Sequence, residues 1–295
     1  MNEKLTAKQI CAKRLEQIAQ RSIETQTETP SRIYGVEHTK KRYEHLDYET
    51  GNFFDFQIML EMPFFSLKKE TLAADKTWAR ENNTALLIRH KTDAEQPTIK
   101  DKAVFIFVIS QILQHLSNNK KAPTPSNIAI PTVRFFDATT SNKSGRDYLR
   151  LKKSIERLCA AKFTLQIEKQ GVLLTYSFKI IETGEVSEKE IKITISNWTK
   201  SRIEKQEVLK LHKNYMLTRG LITRRIYEIC RKHCGNKNKF LIRMEVFVKR
   251  IGSTSKNRSH IIQEINKFNQ SDLGYYITIA KNGHLTIRPK EQTPS

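Results

Sequence analysis

Two sets of side chains in this sequence have the types and spacing to hold a nucleic-acid duplex. In the first, Arg146, Arg150, Lys153 and Arg157 recur at three- and four-residue intervals. At about 100° per residue they share one side of a helix, opposite Tyr148, Leu151, Ile155 and Leu158. In the second, Lys256, Ser259, Gln263, Asn266, Lys267 and Gln270 stand opposite Ile261, Ile262, Ile265 and Phe268, and Arg258 joins the candidate contacts near the start of the same helix. Cationic heads neutralise phosphates, while Gln and Asn amides make paired hydrogen bonds to adenine and Arg or Lys to guanine. The nearly all-cationic first set therefore favours backbone attachment. Gln263 and Asn266 read as base contacts, with Lys256 and Lys267 holding phosphates. Either stripe alone is equally a solvated helix face; two of them, each on a helix followed by a hairpin, favour DNA.

The elements that must position these residues are legible around them. Ser144 and Asp147 form the S-x-x-[DE] box that opens the first basic helix. Before it come a strongly apolar helix from Asp101 to Leu116, a Lys/Pro/Ser/Asn linker between Asn118 and Ile128, the short segment VRFFDATT, and the turn SNKSG. After Ala161 the period changes. KFTLQIEK alternates Phe163, Leu165 and Ile167, Gly171 marks a turn, VLLTYSFKII continues as a second strand, and Glu190 to Ser196 supplies a third. The second unit repeats the plan: the helix LITRRIYEICRKHCG with its Gly235 stop, the amphipathic piece RMEVFVKRIG, the capped helix KNRSHIIQEINKFNQ, and the ribbon YYITIAKNGHLTIRP. Asn282-Gly283 predicts a type I′ turn there. Lys281, Asn282 and His284 at that tip, and Lys169 with Gln170 at the other, are within reach of neighbouring phosphates. From Phe53, the aromatic run FFDFQIMLEMPFFSL reads as strand-like up to Pro63.

A helix-turn-helix followed by a hairpin is a winged helix, so the expected fold class is α+β with two tandem winged-helix domains. Residues 53–203 form the first domain and 204–290 the second. Residues 1–52 read as a partly flexible arm that contains a helix, and 291–295 as a tail.

Composition agrees with an anionic partner. Across 295 residues, 52 Lys+Arg against 31 Asp+Glu give a formal net charge of +21, a surplus that predicts salt-sensitive association with a polyanion. No run approaches the ~20 apolar residues of a spanning helix, and Met1 to Gln20 is too polar for a secretory leader; a cytoplasmic protein without a membrane partner is expected. The four cysteines do not form a disulfide framework. Cys230, His233 and Cys234 invite a zinc reading, but four ligands are needed and no other histidines are paired, so buried thiol packing is expected instead. No catalytic residues, cofactor or metal are expected, because the sequence has neither a G-x-x-x-x-G-K-[ST] phosphate loop nor a His-x-His pair beside a nucleophilic tyrosine. Asp47, Glu49 and Asp55 lie close in sequence, and in so basic a chain they read as ion-pair partners.

Several blocks resemble the replication initiator protein A family of plasmids. They are EMPFFSL (Glu61 to Leu67), IKDKAVFIFVISQI (Ile99 to Ile112), GRDYLRLKKSIERL (Gly145 to Leu158), ITISNW (Ile193 to Trp198), EVLKLHKNYMLTRGLITRRIYEICRKHCG (Glu207 to Gly235) and IGS (Ile251 to Ser253), spread from about Phe53 to Arg288 in the family's order. The resemblance implies a non-enzymatic initiator that binds repeated sites in double-stranded origin DNA of its plasmid and helps load the host replisome. It implies as partners the host replication initiator and helicase-loading machinery, together with a homodimeric form used in autoregulation. The rival reading is a winged-helix transcriptional repressor, which shares every residue-level feature.

Overall fold

A computed structural model of the chain describes residues 42–49, 51–67, 76–81, 84–89, 95–139, 142–169, 172–252 and 258–290. Most of the expected arm, the tail, Gln170, Gly171 and Lys256 lie outside the described residues. In chain order the elements are β1 (Glu44–His45), β2 (Phe54–Phe56), α1 (Gln57–Glu61), β3 (Lys76–Glu81), β4 (Thr84–Arg89), α2 (Ile99–Asn118), β5 (Asn127–Pro131), α3 (Thr132–Thr139), α4 (Gly145–Ala160), β6 (Lys162–Lys169) and β7 (Val172–Phe178). They continue with β8 (Ile181–Val186), β9 (Glu190–Ile195), α5 (Asn197–Glu204), β10 (Val208–Lys210), α6 (Leu221–His233), β11 (Phe240–Arg243), α7 (Met244–Ile251), α8 (Arg258–Gln270), β12 (Tyr275–Ile279) and β13 (His284–Pro289).

Two units share one plan: helix, strand, helix, helix and hairpin, as α2–β5–α3–α4–β8–β9 and α6–β11–α7–α8–β12–β13. In each sheet the third strand lies in the middle, giving β5–β9–β8 in the first unit and β11–β13–β12 in the second. This is the tandem winged-helix fold. In the first unit, Ile191 and Ile193 of β9 register with Ile130 and Ile128 of β5, and β1 adds a short parallel pairing on β5. The α2 helix is apolar all round because it is buried all round, from Val104 through Ile109. A box in which Thr98 and Asp101 bond reciprocally starts it.

Three expectations are corrected. The hairpin that directly follows α4 is not the wing: β6 and β7 join β3 and β4 in a separate four-stranded sheet, ordered β3–β4–β6–β7. The first unit's wing is β8–β9, and the third strand expected at Glu190 to Ser196 belongs to it. Alternation marks a strand but does not name its partner, and the isoleucines of β9 complete β5. Second, the strand-like run from Phe53 is a strand only to Phe56. Residues 57–61 turn into the short helix α1, which buries Ile58, Met59 and Leu60 and has its last carbonyls taken by side chains from α2 and α6. Third, the Asn282-Gly283 tip is not type I′, since of the two only Gly283 has a positive φ (78°). Gly283 N–H donates to the Ala280 carbonyl at 3.0 Å and Ala280 N–H to the His284 carbonyl at 2.8 Å. That is a three-residue loop, a type I turn closed by a glycine bulge.

The units are joined by more than chain continuity. Strand β10 pairs antiparallel with β2, placing Val208 opposite Phe56, and one apolar core runs from Leu46 to Ile287.

Candidate nucleic-acid interface

Helix α4 is built as its sequence implies. Ser144 Oγ and its N–H both bond the Asp147 carboxylate, at 2.7 and 3.2 Å; with Arg150 beside it, this holds the Asp147 carboxyl below the usual range. Leu151, Ile155 and Leu158 are buried. The Tyr148 ring meets Phe136 edge-on at 4.8 Å, and its hydroxyl donates to the Glu188 carbonyl at 3.4 Å. That bond sets the wing tip, Ser187 to Lys189, beside the amino end of α4. Strand β8 lies so close to α4 that a Cβ on Gly184 would stand 2.6 Å from Ile155 Cγ2 and 2.8 Å from Ile193 Cδ1.

The outward face of α4 carries Arg146, Arg150 and Lys153, all exposed. Arg150 keeps 68% of its side chain in solvent while touching Asp147 at 3.2 Å. Arg157 departs from the expected stripe. Its side chain is only 12% exposed, and its guanidinium forks onto Asp101 at 2.7 and 2.9 Å, with Glu95 at 2.9 Å. Hydrogen bonding to Asp101 pushes its pKa up despite burial. Arg157 shares the side of the helix that carries Arg146, but at the last turn of α4 that side meets the amino end of α2, where the Asp101 cap supplies a buried carboxylate. Sequence reasoning also passed over Leu149, which is 52% exposed between Arg146 and Arg150. An apolar residue at i+3 from Arg146, off the buried stripe, was the available signal.

Helix α8 buries Ile261, Ile265 and Phe268, leaves Ile262 half-buried, and exposes Ser259, Gln263, Asn266, Lys267 and Gln270. Lys267 pairs with Glu264 at 2.6 Å and stays 66% exposed. Arg258 opens the helix, but its side chain lies outside the described residues. Asn269 fixes the wing to this helix: its amide donates to the Ile277 carbonyl and accepts from Ile277 N–H, both at 2.8 Å. Lys290 Nζ reaches the carbonyls of Asn269 and Ser271 at 2.9 and 2.5 Å, closing the negative end of the helix. Lys281 and Asn282 are exposed at the wing tip, and His284 is half-buried.

A buried charge network locks the two units together. Lys102 of α2 lies 2.6 Å from Asp55 and 2.9 Å from Glu228 of α6. Arg225 pairs with Glu228 at 2.7 Å and donates to the carbonyls of Met59, Leu60, Glu61 and Arg250 at 3.2, 3.0, 2.9 and 2.9 Å. Tyr215 Oη donates to Glu228 at 2.5 Å. Burial raises Asp55 to about 6 against the pull of Lys102. Burial also pushes Glu228 up, but Lys102 and Arg225 outweigh it and hold it low. The expected ion-pair role of the early carboxylates holds, since Asp47 and Glu49 meet Arg134 at 2.5 and 3.3 Å.

Cys230 and Cys234 are buried in the core, and among the described residues no group of three His, Cys, Asp or Glu is placed to hold a metal. His233 stacks on Phe240 at 5.2 Å and contacts Arg250; burial and that cation hold its pKa well below the usual range. Among the described residues no helix is long and apolar enough to cross a membrane.

A family model described as replication initiator protein A matches residues 55–275. The chain belongs to that family. Among curated relatives of this initiator, the "Putative replication protein" of Wigglesworthia glossinidia brevipalpis is 29% identical over 219 residues, covering 71% of this chain and 78% of that protein. Among solved structures, domains 2 and 3 of RctB superpose on the initiator with a TM-score of 0.57 at 10% identity, over 76% of this chain and 93% of that one; the likeness is one of fold. The longest block of family resemblance, Glu207 to Gly235, contains Tyr215, Arg225 and Glu228, so it carries much of the network between the units.

Proposed function

We propose that this replication initiator binds double-stranded origin DNA of its plasmid with both winged helices, and that it acts by binding alone, without catalytic chemistry. The observation that supports this best is the repeated geometry. In each unit the third helix turns a cationic or amide face to solvent, and its wing is tied beside it, by Tyr148 in one and Asn269 in the other. On this reading α4 grips phosphates through Arg146, Arg150 and Lys153 and sets Leu149 against base edges, where thymine methyl groups offer apolar contact. Helix α8 reads bases through Gln263 and Asn266 while Lys267 and Lys281 hold the backbone. Occupying neighbouring major grooves bends the duplex and eases opening of an adjacent A·T-rich segment, on which the host initiator and helicase loader then assemble.

Footprinting on the DNA flanking its own gene tests the reading, with protection expected over repeated sites. Gln263→Ala is expected to weaken specific binding by about 1–3 kcal/mol and to spare nonspecific affinity. Equal losses on both DNAs would remove Gln263 as a base reader. A lone protected palindrome in the promoter would favour the repressor. Cleavage of a supercoiled origin plasmid with magnesium or manganese would refute action by binding alone.

A further inference from the structure

Between the units lies a cleft of about 710 Å³ whose walls come from α2, α3 and α4 on one side and from residues 216–224 on the other. Its charge is one-sided. The two carboxylates that line it are already engaged, Asp101 by Arg157 and the Thr98 cap, and Asp147 by Ser144 and Arg150. Arg224 is committed to the carbonyls of Met216 and Thr218. Lys100, Lys153 and Arg219 also line the cleft and are exposed, and no ion pair engages them among the described residues. Lys100 sits in the first turn of α2, a twenty-residue helix whose positive end already disfavours a cation. Three exposed cations that no ion pair engages among the described residues, Lys100 and Lys153 from the first unit and Arg219 from the second, thus line one cleft and leave it open to an anion.

Resting on the DNA reading above, we propose that this cleft is a phosphate site for the stretch of duplex between the two major-groove contacts, with Lys100 and Arg219 gripping the backbone from opposite walls. Continuity supports a duplex over a small anion. Arg150 and Lys153 belong both to the outward stripe of α4 and to the rim of the cleft, so a duplex seated on α4 runs across its mouth. Because Lys100 stands on α2 and Arg219 just precedes α6, the grip takes one cation from each unit.

The test uses the full chain and an origin duplex, with binding measured as a function of KCl concentration. Lys100→Ala and Arg219→Ala are each expected to reduce the log–log salt slope by about 0.9, the value for one lost phosphate contact, and to leave the ratio of specific to nonspecific affinity unchanged. Lys100→Arg and Arg219→Lys should restore most of the slope. Ethylation interference should weaken in both alanine variants at phosphates between the two protected grooves. Lys120→Ala removes the same charge just past the far end of α2 and should leave the slope alone. Equal reductions in all three alanine variants would show that only net charge matters and would overturn the site. Unchanged slopes in Lys100→Ala and Arg219→Ala, with wild type binding the origin tightly, would overturn the cleft and leave the DNA reading standing. If wild type fails to bind the origin, both readings fall. Displacement of DNA by ATP or inorganic triphosphate at equal phosphate concentration, lost in Lys100→Ala, would replace the duplex with a small-anion ligand.

Discussion

Arg225 is the side chain on which the union of the two units most depends. Arg225→Met keeps much of its volume and removes every bond it donates. Its guanidinium is fully buried and serves Glu228 and four carbonyls, three of them at the end of α1 and one near the end of α7. In the variant Met59 keeps Lys102 as a donor at 3.3 Å; Leu60, Glu61 and Arg250 lose theirs from Arg225. Glu228 and Asp55 are left to share the single charge of Lys102. Breaking a buried ion pair on one side costs about 3–5 kcal/mol, and each dry unsatisfied carbonyl adds roughly 1–3 kcal/mol before relaxation. Regained methionine packing offsets part of this, so we expect a net loss of about 4 kcal/mol, a large share of the roughly 5–15 kcal/mol typical of folded domains. Equilibrium urea unfolding is the assay. With a slope of about 3 kcal/mol per molar, the midpoint should fall by about 1.3 M. Adding Glu228→Gln removes the surplus negative charge and should restore about 1–2 kcal/mol through coupling of the two sites. A midpoint shift below about 0.4 M, or a double variant as unstable as the sum of the singles, would refute the account of this network.

Gly184→Val would thrust a side chain into Ile155 and Ile193 and lift α4 from β8, costing about 1–3 kcal/mol; an unaltered thermal midpoint would show that the contact relaxes freely. Because burial raises Asp55 to about 6, the folded chain holds that proton more tightly than the unfolded one. Its contribution to stability is therefore lost as pH rises from about 4 through 6, and Asp55→Asn should gain on wild type across that window. Parallel stability–pH curves for the two proteins would contradict this. For Arg150→Ala, the salt slope of DNA binding should fall by roughly 0.9, and an identical slope would mean that the side chain only faces water.

What the sequence could show was set by local physics. The box at Ser144 and Asp147, the inner faces of α4 and α8, the buried helix α2 and the stop at Gly235 all depend on neighbours within a turn or two, and periodicity exposes them. The β8–β9 wing, the β3–β4–β6–β7 sheet and the helical turn of α1 depend on partners far along the chain. Alternation in β6–β7 is as regular as in β8–β9, so nothing local tells an inserted hairpin from a wing. At the candidate site the same division holds. Arg146, Arg150 and Lys153 face outward as spacing predicts, while Arg157 is claimed by Asp101 from another helix. Lys102, Arg225 and Glu228 look like ordinary surface charges until the fold brings them together with Asp55.

The pairing of β2 with β10 also orders events during synthesis. Phe54–Phe56 leaves the ribosome long before Val208–Lys210 exists to pair with it, and the carbonyls closing α1 wait longer still for Arg225. Such distant contacts form late, because loop closure precedes any gain from them. The carboxy-terminal ribbon, whose two strands are separated only by a tight turn, has no comparable wait. A nascent chain halted before Val208 therefore carries an open strand edge beside an aromatic cluster, the kind of surface that seeds aggregation. The amino-terminal segment is made first and sealed only once the second unit has begun to emerge.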